Sequence, residues 1–173
     1  MSIPKRHAAP SQITAAHRTF FVTTSIHEKR ALLQSTRSAE LFLNVVDNYR
    51  QQGKFALHEF VVMPDHVHLL LTVNSDISIE RAIQFIKGGF AHRAGKELGF
   101  RAPVWQKGFS EVRVSDEARF DQFTIYIRNN PVRARLASRP EEFPFSSASN
   151  SLALDPRPQG LKPSNFEQSL RYG

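Results

Sequence analysis

Cysteine is absent from the 173 residues, which excludes disulfide staples, thiolate metal sites and a cysteine nucleophile. His, carboxylate and amide side chains remain as the available metal ligands. Long apolar runs are missing as well: the longest, around Leu69–Val73, falls far short of the roughly 18 residues a membrane span needs. The first ten residues, MSIPKRHAAP, hold no apolar signal core, so a soluble, unexported cytoplasmic protein is expected. There is neither a Walker-type glycine loop nor a His-Glu-x-x-His pattern, which argues against a nucleotide cofactor and against zincin-like hydrolysis. Acidic residues are in the minority, 16 against 23 Lys and Arg.

What the chain does have is an apolar content of 40%, with 14 Phe, enough to bury a core of ordinary size and to exclude a wholly disordered chain. The basic excess is local. Residues 81–139 hold 12 basic and 5 acidic side chains, while residues 1–80 hold 8 and 7. A basic segment of this kind suits a polyanion, because phosphate affinity comes largely from counterions released by clustered Lys and Arg. The sequence pI near 10.1 points the same way.

Hydrophobic periodicity places the elements. Residues 17–26 read as a strand, and residues 29–52 as a helix ended by Gly53. Residues 55–63 and 66–73 form a hairpin turned by Pro64-Asp65. Ser78 caps a second helix to about Leu98, with Gly88-Gly89 as a weak point. A short strand follows from Phe109 to Val114, and Asp116 caps a third helix, Glu117 to Asn130, which Pro131 ends. This order predicts an α+β fold, a ferredoxin-like antiparallel sheet with helices packed mainly on one face. One domain over residues 1–150 and a flexible proline-rich tail over 151–173 complete the expectation.

His66 and His68 stand two apart on a predicted strand. Their side chains therefore share a face, with Cα atoms about 7 Å apart, close enough to close on one divalent ion. Tyr126 and Asn130 are i and i+4 on the third helix and share a face in turn. Two imidazoles and an amide oxygen would leave coordination positions open for phosphate oxygens, and a nearby tyrosine hydroxyl could attack phosphorus.

The motifs MPDHVHLLL, VWQKGFSE at 104–111 and YIRNNPVRA at 126–134, in that order, resemble the REP-associated tyrosine transposases. These are relatives of the small single-strand insertion-sequence transposases in the HUH (His-hydrophobic-His) endonuclease superfamily. The resemblance spans roughly residues 17–148. It implies His66, His68 and Asn130 as ligands of Mg2+ or Mn2+ and Tyr126 as the single nucleophile. It also implies cleavage of single-stranded DNA beside a palindromic hairpin through a 5′-phosphotyrosine, by a monomer or homodimer, nucleoid-associated when bound. Val112 and Arg135 depart from the pattern, since relatives often carry His and Gly there. Lys87, Arg93, Lys107, Arg113, Arg128 and Arg133 are the candidate phosphate contacts, and Trp105 a candidate for stacking on an unpaired base. The competing classes are a non-catalytic nucleic-acid-binding module on the same fold and a metallohydrolase of a small substrate, for which the chain is too basic.

Overall fold

The computed structural model describes residues 17–164. Strands β1 (Arg18–Ser25), β2 (Ala56–Val62), β3 (His66–Val73) and β4 (Ser110–Val114) alternate with helices α1 (Thr36–Gln51), α2 (Ile79–Leu98) and α3 (Glu117–Arg133). The sheet is ordered β2-β3-β1-β4 and every pair is antiparallel. The α+β class and the antiparallel sheet are as expected.

Strand alternation divides the molecule into two layers. Val22, Leu57, Phe60, Val67, Leu69 and Leu71 face α1 and α2, where they pack with Phe42, Ile83, Ile86 and Phe90 in the larger core. Burying each large apolar side chain there contributes about 1.5–3 kcal/mol. The other face carries Phe21, Val61, Leu70 and Val114, which pack against Phe120 and Ile127 of α3. Two helices thus share one face, and the third covers the opposite one.

Three sequence expectations need correction. The first helix begins at Thr36, not near Lys29, because Ser35 caps it, accepting from Ser38 N–H at 3.1 Å. Leu33 enters the core from an irregular turn instead, its N–H donating to Pro64 O at 2.9 Å. The third helix does not end at Asn130. It passes through Pro131 to Arg133, where the missing proline N–H forfeits a single late bond. The expected loose tail holds up to its middle only as a docked segment: Asp155 accepts from Arg50 Nε at 2.9 Å and Leu57 N–H at 2.8 Å. Lys162 exchanges backbone bonds with Ser115 and Glu117. The expectation for residues 165–173 lies outside the described residues. The Gly88-Gly89 pair, by contrast, leaves α2 continuous; a Cβ on Gly89 would lie 2.8 Å from Tyr49 Cε2, so glycine is what lets α1 and α2 approach.

Beyond Arg133, α3 is closed by a Schellman motif in which Leu136 N–H donates to Pro131 O at 2.8 Å and Arg135 N–H to Val132 O at 3.0 Å. Arg135 occupies the left-handed position of that motif with φ 59°. This is one of the two places where relatives of the resembled family often differ, and glycine is the residue the geometry favours there. Arg135→Gly should therefore raise stability by about 1 kcal/mol, the left-handed penalty less glycine's entropy cost; urea unfolding at pH 7 checks it, and a lowered midpoint would contradict it.

Candidate active site

On β3 the alternation sends Val67 and Leu69 into the larger core and His66 and His68 to the α3 face. The ring centroids of the two imidazoles are 4.8 Å apart. Each ring is held through Nδ1. His66 Nδ1 is 2.7 Å from Asp65 Oδ1, and His68 Nδ1 is 2.8 Å from Thr23 Oγ1, its register partner on β1. Against a carboxylate His66 donates Nδ1–H, and neither Nε2 atom has a hydrogen-bond partner among the described residues. That is the orientation which carboxylate and hydroxyl partners impose on metal-binding imidazoles.

His68 is buried, 5% exposed. Its pKa is pushed down to about 3, first by desolvation, then by the charges of His66 and Lys29. It is therefore a neutral imidazole at ordinary pH, as a ligand must be. Among the described residues no group of three or more His, Cys, Asp or Glu is arranged to hold a metal ion. A metal here would accordingly rest on two imidazoles and a neutral amide, and the donor set fits a hard or borderline divalent ion with open positions.

Helix α3 brings Tyr126 to this pair. Its ring meets His68 edge-on at 5.4 Å and Phe21 at 5.8 Å, while Phe123, one turn earlier, stacks on Phe21 at 4.2 Å. Tyr126 is 37% exposed, so its hydroxyl end remains reachable. Asn130 lies one turn further along the same helix and is buried, with no side-chain hydrogen bond to any described residue. What fixes the roll of α3 is the pair Arg128–Glu59: the guanidinium forks onto the carboxylate at 2.7 and 3.1 Å, and Ser147 Oγ donates to the same carboxylate. A β-bulge at His58 makes this possible, because the extra residue in β2 turns both His58 and Glu59 toward α3. His58 uses its place to bond Thr72 Oγ1 at 2.7 Å.

The expected DNA contacts sort differently. Trp105 is buried against Phe42 and Phe90, with Nε1–H donating to Lys87 O, so it is a core residue and offers no face to a base. Lys87 is spent on the loop carbonyls of Gln106 and Gly108, and its pKa is lowered by burial. Arg93 pairs with Glu97 and Asn44 in the α1–α2 layer, across the sheet from the His pair. Arg128 is committed to Glu59. Arg113, on β4, lies over the Phe20 ring and so also points away from the His face. Of the six cations, only Arg133, over the Tyr126 ring at 5.2 Å, and Lys107, in a groove beside Thr23, adjoin the site.

Sequence reasoning missed Asp65, Thr23, Lys29 and Glu59. Asp65 stood in the sequence as a turn residue next to His66, so adjacency alone was a usable signal. Thr23, Lys29 and Glu59 reach the site only through register, a turn and a bulge.

A pair of imidazoles on a central strand, facing a helix tyrosine, defines a sheet-borne His/Tyr site. The family whose pattern covers it is "Transposase IS200 like", which matches residues 16–130; the chain belongs to this family. The fold resembles a REP-associated tyrosine transposase bound to a REP hairpin, at 22% identity over 90% of this chain and 89% of that one, with TM-score 0.67. It also resembles a proposed transposase of Deinococcus radiodurans, at 21% identity over 75% and 97% of the two chains, with TM-score 0.50. An uncharacterized protein of Haemophilus influenzae is 24% identical over 143 residues, covering 65% of this chain and 79% of the relative. Among the described residues no helix is long and apolar enough to cross a membrane.

The buried neutral imidazoles fix a pH dependence. His68, and His58 by the same desolvation, have folded pKa values below the unfolded 6.5. Between those values the unfolded chain binds more protons, so stability falls as pH falls. In EDTA the loss from pH 6.5 to 5 should approach about 1.4 kcal/mol per pH unit for His68, with His58 adding in the same direction. His68→Gln should flatten the curve by one group's share, and an unchanged slope in that variant would contradict the assignment.

Proposed function

We propose that the protein is a single-strand DNA endonuclease and strand transferase that recognises hairpin, palindromic-repeat DNA and cleaves through Tyr126. The observation that carries this reading is the meeting of His68 and Tyr126 across the sheet–helix contact, at 5.4 Å between rings. A hairpin was the ligand of the REP-associated relative, and the family of the chain supports the same class of substrate.

His66 and His68, through Nε2, and Asn130, through its amide oxygen, are the residues that would hold Mg2+ or Mn2+. Such an ion supplies Lewis-acid polarisation of the non-bridging phosphate oxygens. The chain's own groups do the rest. Phe21, itself stacked on Phe123, meets the Tyr126 ring edge-on, and the part-exposed tyrosine leaves its hydroxyl open to an incoming phosphate. Arg133 places a cation over that ring at 5.2 Å, where it stands ready for a phosphate oxygen. In the step itself the phenol oxygen bonds to phosphorus as its proton is lost, and the bond from phosphorus to the 3′ oxygen breaks. The 3′ oxygen takes up a proton. The product is a 5′-phosphotyrosine with a free 3′-hydroxyl. Because the ester conserves the bond, the reverse attack by a 3′-hydroxyl joins strands with no nucleotide cofactor.

Tyr126→Phe removes the hydroxyl while keeping the ring contacts with His68 and Phe21. It should bind a hairpin oligonucleotide from the gene's own flanks with wild-type affinity and lose Mn2+-dependent cleavage by at least about 10³-fold, as expected for loss of a nucleophile. Retained cleavage in that variant would remove Tyr126 from the role. Hairpin binding by the wild type with no cleavage under Mg2+ or Mn2+ would leave a binding module in place of an enzyme.

A further inference from the structure

On the β1–β4 side of the His pair the sheet opens into a groove of about 290 Å³ that the reaction above does not use. Thr23, Ser25, Lys107, Gly108 and Ser110 line it. The far wall is held rigid: Gln106 N–H donates to Ser25 O at 2.8 Å, Trp105 bridges Ile26, and Lys87 Nζ ties down the carbonyls of Gln106 and Gly108 at 2.9 and 2.7 Å. The cation that sequence reasoning assigned to DNA thus acts from beneath, fixing the loop that presents Lys107.

A second cation reaches the groove through Ser25. Lys29 Nζ lies 3.0 Å from Ser25 Oγ, and Ser25 is the register partner of His66, as Thr23 is of His68. The ammonium is thereby one strand away from the His pair, near enough for its charge to act on His68. It gets there at a cost. Glu28 and Lys29 both adopt left-handed backbone, φ 57° and 55°, a conformation that residues with a Cβ take reluctantly, and two in succession are held only by surrounding bonds. Those bonds are present: Ile26 N–H to Asp65 O at 2.8 Å, Leu33 N–H to Pro64 O at 2.9 Å, and Arg30 to the carbonyls of His27 and Pro103. Strain of this kind, over-determined by its surroundings and placed beside a reactive site, is characteristic of functional backbone. Neither Lys29 nor Lys107 forms an ion pair with a described residue. Ser25 Oγ, once it accepts from Lys29, still has its own O–H to donate.

We propose that Lys29 and Lys107, with the Ser25 hydroxyl that Lys29 meets and that shares the groove with Lys107, form an anion subsite for a phosphate of the DNA strand adjoining the scissile one. The proposal rests on the reading of His66, His68 and Tyr126 as a single-strand nuclease site, and it gives the strand a path. Helix α3 packs on β2 and β3 and on Phe21 and Val114, while the groove lies at the Thr23–Ser25 and Ser110 ends of β1 and β4, so the backbone crosses the His pair from Tyr126 to Lys29. Phosphates clamped on both sides of the reacting one would fix its orientation.

The test pairs two readouts on the full chain with a fluorescent hairpin oligonucleotide from the gene's flanks. In anisotropy titrations across a range of KCl, Lys29→Gln should lower the slope of log K against log salt by about 0.7, and the Lys29→Gln/Lys107→Gln double variant by about 1.4. Lys96→Gln, on the α1–α2 layer, should leave the slope unchanged. In Mn2+, the rate of covalent adduct formation at sub-saturating DNA should fall on the order of tenfold in Lys29→Gln and recover in Lys29→Arg. Lys29→Arg also serves as the folding control, since it keeps the turn and the charge. A wild-type protein that forms adduct, beside a Lys29→Gln variant with unchanged slope and unchanged rate, overturns the subsite alone. If the wild type forms no adduct, the nuclease reading fails, and the salt slope by itself then decides whether Lys29 meets a phosphate.

Discussion

The period of two along β3 is the constraint on which everything else rests. Val67, Leu69 and Leu71 are fully buried against α1 and α2, and a slip of one residue would expose all three while driving both imidazoles into an apolar core, at a cost of several kcal/mol per unpartnered polar group. The hydrophobic core therefore enforces the register that presents His66 and His68 together on the other face. From that register follow the partners: Thr23 opposite His68 and Ser25 opposite His66. The hydroxyl that orients one imidazole and the hydroxyl that Lys29 holds are consequences of the same pairing.

The second face is assembled later in the chain and more delicately. Helix α3 buries little beyond Phe120, Ile127, Asn130 and Pro131, so apolar packing alone leaves its rotation loosely specified. Polar contacts supply what packing does not. Glu59, 5% exposed, accepts the Arg128 fork, and the 155–162 segment straps the start of α3 to β2, with Asp155 accepting from Leu57 N–H, Arg157 donating to Asp121, and Lys162 bonding Ser115 and Glu117. An ion pair with one buried partner is a poor source of net stability but a good source of geometric specificity, since removing Arg128 would strand the desolvated Glu59 carboxylate. The geometry it specifies is the contact of Tyr126 with His68.

How much of this could be read from the sequence depends on the range of the interactions. The hairpin, α2 and the capped start of α3 were legible because periodicity and caps act within one element. The shared face of His66 and His68, and that of Tyr126 and Asn130, were legible for the same reason. The bulge at His58, the turn that puts Glu28 and Lys29 in left-handed backbone, and the register that selects Thr23 depend on neighbours distant in sequence and left no local trace. Charge misled most. Lys87, Arg93, Arg113 and Arg128 are basic in composition, but the first, second and fourth serve internal carbonyls and carboxylates, and Arg113 turns to the other face. A count of positive residues shows that a polyanion is expected and says nothing about which cations meet it. Trp105 misled in the same way, its aromatic ring being needed by Phe42 and Phe90.

The central claim is that one chain carries both the imidazole pair and the tyrosine that becomes bonded to DNA. Peptide mapping by mass spectrometry tests it most directly: react the protein with flank-derived hairpin DNA in Mn2+, digest with nuclease and protease, and locate the residual nucleotide. The account predicts a 5′-nucleotide phosphoester on the peptide that contains Tyr126, absent when EDTA replaces Mn2+. Attachment at Tyr49 or at any serine, or a stable hairpin complex that yields no nucleotide-bearing peptide, would contradict it.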